Sequence, residues 1–320
     1  MPDPHRPELH VALATCSDLP DWEVDDRPLV AALESRDVTV AQPAWDDPTV
    51  DWAGFDACLI RTTWDYMERL DEYVGWAERV AAVTPLLNPP GVVRWNTEKR
   101  YLRALEETGI RGIPTVWLPR RGAPDTPGDD RVDVAALLAE RGWQRAFAKP
   151  LVGATARETL RFDADEDGIA RAQAHLDRLL PREGMMLQPY LPRVETDGER
   201  SAVFLEDDTG RLAFSHAVVK RPVPGDYRVQ DDFGASDAPV ALEPHERALA
   251  RAAVERVERP GLWSGDPDDR LLYARVDLLR GAGDEVFVSE LELVEPSLFF
   301  RHEPRAAGRL AAALLRRARP

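Results

Sequence analysis

Three carboxylates near the end of the chain, Asp277, Glu290 and Glu292, stand in two apolar runs, 271–279 and 286–293. The connecting Arg280-Gly-Ala-Gly-Asp-Glu285 is rich in turn formers, so an antiparallel hairpin is expected. Pairing Arg280 with Glu285 sets Asp277 opposite Val288, Arg275 opposite Glu290 and Tyr273 opposite Glu292. Side chains alternate between faces, so Arg275, Asp277, Glu290 and Glu292 then share one face, and a one-residue slip breaks the set. Oxygen ligands with no His or Cys beside them suit Mg2+ or Mn2+ rather than Zn2+. Magnesium takes one or two carboxylates and fills its shell with water and phosphate oxygens, which points to a nucleotide as the other partner. The competing reading is a solvated acidic strand pair in an acidic protein.

The cations are as telling as the acids. Of 41 lysine and arginine residues, only Lys99, Lys149 and Lys220 are lysine. Where plain positive charge suffices this chain uses arginine, so a retained lysine points to a need for a compact, mobile ammonium. Lysine is also the usual point-charge ligand of nucleotide phosphate; arginine-rich coding bias is the bland alternative. Lys149 closes the expected strand 145–150, ahead of a small polar segment, 151–159, whose backbone N–H groups suit phosphate. That segment has one glycine, Gly153, and fits no P-loop spacing. Lys99 is expected in the first turn of a helix capped by Asn96, where a cation opposes the helix dipole. Lys220 ends the expected strand 212–220, before a breaker-rich stretch reaching Gly234.

These groups need a scaffold, and the rest of the chain describes one. The formal charge of −16 excludes nucleic acid and anionic membrane surfaces as general partners. Cys16 and Cys58 have neither disulfide-framework nor metal-knuckle spacing and read as buried thiols. No apolar run is long enough for a bilayer and the first residues lack a signal-peptide core, so a cytoplasmic location is expected. Strand signals at 10–15, 38–40 and 56–61 alternate with helical stretches at 27–35 and 66–83. This βαβαβα order indicates a doubly wound parallel sheet. Ligands of such sheets sit at the carboxyl ends of the strands, which makes Arg61-Thr-Thr-Trp-Asp65 a candidate substrate contact. A strand-to-helix turn capped by Thr63 or Asp65 explains the same residues. Further on, an apolar strand at 185–191 runs into a proline-containing hinge. Its backbone at Gln188, Pro189, Tyr190 and Leu191 suits a purine edge, with Glu195 in reach of ribose hydroxyls.

Seven motifs in sequence carry a resemblance. They are Asn96-Thr-Glu-Lys99, Phe147-Ala-Lys-Pro150, Leu187-Gln-Pro-Tyr-Leu191, Gly198-Glu-Arg-Ser201, Lys220-Arg-Pro222, Asp226-Tyr-Arg228 and Asp277…Glu290-Leu-Glu292. In this order they resemble the ATP-grasp superfamily, in its glutathione synthetase-like branch. The run from His216 to Gln230 is most similar to the D-cycloserine synthetases and related small amino-acid ligases. The resemblance implies an α/β (α+β) ATP-grasp fold, with a doubly wound pre-ATP-grasp domain over 1–90, a central lobe over 91–183 and a C-terminal lobe over 184–320. It implies ATP as co-substrate, bound by Lys99 and Lys149, with the loop of Gly153 and Thr155 over the phosphates. Gln188, Pro189, Tyr190 and Leu191 would hold adenine, Glu195 the ribose, and Asp277, Glu290 and Glu292 magnesium, with manganese as a substitute. Lys220 and Arg228 would act near the γ-phosphate and the acyl group, while Arg61, Ser297 and Arg301 would shape the site for an amino-acid-like substrate. Two departures stand out: the glycine-poor loop, and Glu292 where this branch commonly has Asn.

The implied reaction is attack of a carboxylate on the γ-phosphorus of ATP, then capture of the acyl phosphate by an amine. Ring closure by a nitrogen of the same molecule is the alternative, and a non-catalytic nucleotide-binding protein a further one. Dimers are common in the family.

Overall fold

The computed structural model describes residues 9–19, 24–123, 132–153, 156–229, 234–264, 266 and 269–318. The first sheet is parallel, in the order β2-β1-β3-β4, from β1 (Leu9–Thr15), β2 (Val38–Ala41), β3 (Ala57–Thr62) and β4 (Leu86–Leu87). Its strands read as continuous apolar runs because both faces are covered. On one face Val11, Leu13 and Leu59 meet Leu29 and Leu33 of α1 (Arg27–Glu34). On the other, Ala12, Ala14 and Ile60 meet Tyr73, Trp76 and Val80 of α2 (Leu70–Ala81). An aromatic stack of Tyr66 on Tyr73 on Trp76 adds to that second face. The expected βαβαβα order holds except between β2 and β3, where the link carries only a short turn at Trp52–Gly54 instead of a helix.

Two short helices, α3 (Pro90–Asn96) and α4 (Tyr101–Glu107), follow. Asn96 is therefore the last residue of one helix and not the N-cap of the next, and Lys99 lies between the two. The dipole argument for Lys99 does not apply.

The central sheet is antiparallel, in the order β5-β8-β6-β7: β5 (Val116–Leu118), β6 (Arg145–Pro150), β7 (Leu160–Asp163) and β8 (Met185–Pro189). It packs on α5 (Val134–Arg141) and α6 (Glu166–Leu179) through Leu138, Phe162, Leu176 and Leu187. Because β8 lies between β5 and β6, the segment 185–189 belongs to the central sheet and not to a C-terminal unit starting at 184. The apolar run could not reveal this, since its partners are remote in sequence.

After α7 (Val194–Asp197) comes a five-stranded antiparallel sheet in the order β11-β10-β9-β12-β13. Its strands are β9 (Glu199–Glu206), β10 (Leu212–Arg221), β11 (Ser236–Pro239), β12 (Tyr273–Arg280) and β13 (Val286–Glu292). Ala250, Val254 and Val257 of α8 (Pro244–Val257) cover one part of this sheet. The last helix, α9 (Pro304–Arg317), buries Leu310 and Leu314 in one cluster with Leu29 and Leu33 of the first lobe and Val203 and Leu205 of β9. The C-terminal helix thus ties the first sheet to the third. Both cysteines are free and buried, and no described helix is long and apolar enough to cross a membrane.

Candidate active site

A cleft of about 330 Å³ runs between the central sheet and the third sheet, with the carboxyl end of the first sheet at its back. The acidic hairpin supplies its floor, though by another register than the turn sequence implies. Arg280 pairs with Val286, so residues 281–285 form the loop, and Leu278 faces Val288. Ser289 is then an extra residue, a bulge, beyond which Asp277 faces Glu290 and Arg275 faces Glu292. Without the bulge, Asp277 would face Ser289 and the two glutamates would turn to the opposite face. The longer loop and the bulge offset each other, so the four charged side chains do share the cleft face as expected, with different partners.

Oxygens of Asp277, Glu290 and Glu292 lie within 4.8 Å of one another. Asp277 accepts from the Ser201 hydroxyl at 2.6 Å and from the Arg275 guanidinium at 3.0 Å. Arg275 also donates to Glu292. Lys99 donates to Glu290 at 2.8 Å. Lys220 bridges Glu199 at 2.7 Å and Asp277 at 3.3 Å. Burial raises the proton affinity of each carboxylate, but Arg275 and Lys220 hold Asp277 low, and Lys99 and Lys149 do the same for Glu290. Glu292 is pushed up, by burial and by repulsion from Asp277 and Glu290, which Arg275 only partly offsets. Three acids crowded on one face with oxygen-only chemistry and a neighbouring donor-rich cleft fit a divalent magnesium-type ion.

Lys149 differs from the other two lysines. Among the described residues it has no ion-pair partner, and its ammonium lies 5.2 Å over the Phe147 ring centroid. Burial pulls its proton affinity down, with Glu290 working against that and Lys99 with it. Lys99 shows the opposite outcome: burial would depress it, but the Glu290 carboxylate lifts it above the ordinary range. Lys220 is lifted in the same way by Asp277 and Glu199.

Described residues after β6 reach this end of the cleft. Gly153, Ala156, Arg157 and Thr159 line the cleft, and Arg157 is held by a bidentate pair with Glu183 at 2.9 and 3.0 Å. Thr155 lies outside the described residues. Gln188, Pro189 and Leu191 line the cleft, with the Gln188 amide turned to the Thr115 hydroxyl at 3.0 Å. Tyr190 and Glu195 are not among the lining residues: the Tyr190 hydroxyl donates to Glu195, and the ring packs edge-on against Phe147. Tyr227, Arg228 and Val229 close the mouth. Asp226 accepts from the Arg228 guanidinium at 2.6 Å and from backbone N–H groups, which holds its carboxyl well below the usual range.

Of the three expected substrate contacts, only Ser297 reaches the cleft. Arg61 is 1% exposed and makes a bidentate pair with Asp26 at 2.8 and 2.9 Å, plus a bond to the Pro296 carbonyl at 3.1 Å. Arg301 is committed to Asp237 and Asp25, away from the lining. Past the end of β3, Trp64 and Tyr66 face the cleft, while Arg61 points inward. Glu199 and Arg275 are the other groups that sequence reasoning left without a role. Glu199 stands in the quoted Gly198-Glu-Arg-Ser201, and Arg275 on the acidic face, so both carried a signal. Asn96 also has a different task. Its amide donates to the Leu291 carbonyl at 2.9 Å and accepts from the Leu293 N–H at 2.7 Å, serving the β13 edge as an extra strand would.

Comparisons with known proteins agree with this fold. A family model for the N-terminal domain of the D-cycloserine synthetase DcsG matches residues 11–88. The cycloserine biosynthesis protein DcsG of Streptomyces lavendulae is 35% identical over 308 residues, covering 93% of this chain and 95% of that protein. A crystal structure of D-cycloserine synthetase DcsG superposes with a TM-score of 0.79 at 30% identity, covering 96% of this chain and 99% of that one. The D-alanine–D-alanine ligase of Bacillus anthracis complexed with ATP shares the fold, at a TM-score of 0.65 and 14% identity over 97% of each chain. The chain belongs to the D-cycloserine synthetase family of ATP-grasp enzymes, and it is an ATP-dependent carboxylate–amine ligase.

Proposed function

We propose that the protein activates the carboxylate of a small amino acid with ATP and closes a ring by capture with a nitrogen of the same molecule. The observation that carries the ring closure is the 35% identity with DcsG along 93% of the chain. The activation chemistry rests on the cleft itself. Asp277, Glu290 and Glu292 would hold magnesium, which supplies positive charge against the phosphate oxygens. Lys149, which has no ion-pair partner among the described residues, would meet a phosphate, with Lys99 beside it. Gln188, Pro189 and Leu191 would line the adenine side, and Gly153 with Arg157 the phosphate cover.

In the first step a carboxylate oxygen bonds to the γ-phosphorus and the bond to the ADP oxygen breaks, giving an acyl phosphate. In the second, the substrate nitrogen attacks the acyl carbon, phosphate leaves and the nitrogen gives up a proton. Phosphoryl transfer asks mainly for positioning and charge neutralisation. Lys220, held 2.7 Å from Glu199, and Arg228 at the mouth would neutralise the transferring group. Exclusion of water matters because hydrolysis competes for the acyl phosphate.

The test offers ATP, Mg2+ and amino acids singly and in pairs. The singles include β-aminooxy-D-alanine, which opening the D-cycloserine ring amide with water would give. Phosphate release with one substrate, and a product lighter by one water, is expected. Release that requires two substrates refutes ring closure and leaves an intermolecular ligase.

A further inference from the structure

Pairing off the charged side chains of the cleft leaves two without an opposite among the described residues. Lys99 is taken by Glu290, Lys220 by Glu199 and Asp277, and Arg275 by Asp277 and Glu292. Arg157 and Arg228 are taken by Glu183 and Asp226. Lys149 remains as a cation. Glu295 remains as an anion: it lines the cleft and makes no ion pair among the described residues. The first vacancy matches the polyphosphate. The second has no counterpart in a nucleotide, whose charges are all negative.

Glu295 is also held as a presented group. The Trp64 indole N–H donates to its backbone carbonyl at 3.0 Å, and the Tyr66 hydroxyl hydrogen-bonds its carboxylate. Tyr66 is itself fixed by stacking on Tyr73 at 4.5 Å. Trp64 and Tyr66 both line the cleft, so the carboxylate has an aromatic frame. Burial raises Glu295 to about 7, with Tyr66 and Lys99 lowering it only in part. With no ion-pair partner among the described residues, this carboxyl would be held in its charged form by a bound cation.

We propose that Glu295, framed by Trp64 and Tyr66, binds the protonated amino group of the substrate and so selects amino acids over plain carboxylic acids. The assignment rests on the ring-closing reading for its choice of probe. The substrate ammonium would then meet Glu295, and its carboxylate would lie toward Lys220 and the cluster of Asp277, Glu290 and Glu292.

The probe is D-cycloserine, which carries a primary amine, against isoxazolidin-3-one, the same ring without it. Both are titrated calorimetrically into protein holding Mg·ADP. The wild type is expected to prefer D-cycloserine by about 10- to 150-fold, the range of a charge-assisted hydrogen bond. Glu295→Gln should erase that preference while Mg·ADP binds as before. Tyr66→Phe, which keeps the aromatic frame, should reduce it. Equal affinity of the two rings for the wild type, or a preference that survives in Glu295→Gln, overturns the assignment alone. Binding of neither ring by wild type overturns the ring-closing reading and this assignment together.

Discussion

Replacing Lys149 and Lys99 by methionine should move stability in opposite directions while weakening nucleotide binding in both. Lys149 has no carboxylate partner among the described residues and sits over Phe147, so its charge is a burden on the unliganded fold. Methionine at that position, an unbranched side chain one atom shorter, removes the charge and adds a sulfur–aromatic contact, raising stability by about 1 kcal/mol. The sign follows from linkage. Burial lowers the Lys149 proton affinity, so the folded state binds its proton less well than the unfolded state does. The resulting penalty is complete at neutral pH and is relieved as pH climbs from the folded value toward the unfolded one, 10.5. The advantage of methionine is therefore largest near pH 7 and shrinks in alkali.

Lys99 is the contrary case. Its removal leaves Glu290 without its partner at 2.8 Å, and breaking such a pair costs about 3 kcal/mol. For nucleotide, each lysine contributes a charge-assisted contact of about 1.5–3 kcal/mol, so Kd for Mg·ADP should rise by roughly 10- to 150-fold in Lys149→Met. Thermal unfolding of the unliganded variants at pH 7 and at pH 9.5, with calorimetric titration of Mg·ADP, reads both quantities. Unchanged Mg·ADP affinity together with a lowered melting temperature for Lys149→Met would refute the reasoning, since it would show Lys149 to be a structural cation.

Glu290→Gln should reduce ATP-dependent phosphate release by about 100-fold or more and steepen the Mg2+ requirement, followed by initial rates across a magnesium titration; normal turnover removes Glu290 from the metal set. Lys220→Arg should lower kcat with little change in ATP affinity, because the larger fork has to fit where Nζ now meets Glu199 at 2.7 Å and Asp277 at 3.3 Å; single-turnover kinetics at saturating ATP measure it, and an unchanged kcat would show that any cation suffices. Arg61→Met should cost about 3–5 kcal/mol of stability by orphaning the buried Asp26, and leave KM for the amino-acid substrate unchanged below the melting range. Adding Asp26→Leu should restore stability; a raised KM would return Arg61 to the substrate site.

What was legible in the sequence was what local patterns encode. Strands β1 and β3 of the first sheet were legible because burial on both faces makes them continuous apolar runs, while the two-residue β4 was too short to show. The shared cleft face of Asp277, Glu290 and Glu292 came out as expected only because the one-residue-longer loop and the bulge at Ser289 offset each other. Facts set by distant partners were hidden. Ser289 is inserted as a bulge where its hydroxyl donates to Glu199 at 2.8 Å, a contact no hairpin sequence displays. Strand β8 finds its sheet through β5 and β6, and Arg61 its role through Asp26, both remote in sequence. Asn96 looked like a cap because its side chain suits any exposed backbone edge; the edge it serves belongs to β13.

The three lysines acquire distinct physical meanings from this arrangement. In the unliganded protein Lys99 and Lys220 act as counter-ions that keep the acidic trio from repelling itself apart. A divalent cation among Asp277, Glu290 and Glu292 would take over that neutralisation and free the two ammonium groups for phosphate and acyl oxygens. Such an exchange needs side chains that swing a point charge over a short distance without losing geometry, which lysine does and a bidentate arginine fork resists. Arg275, by contrast, bonds both Asp277 and Glu292 and is the fixed member of the set. An otherwise arginine-rich chain thus keeps lysine where a cation must change partners, and arginine where it must hold them.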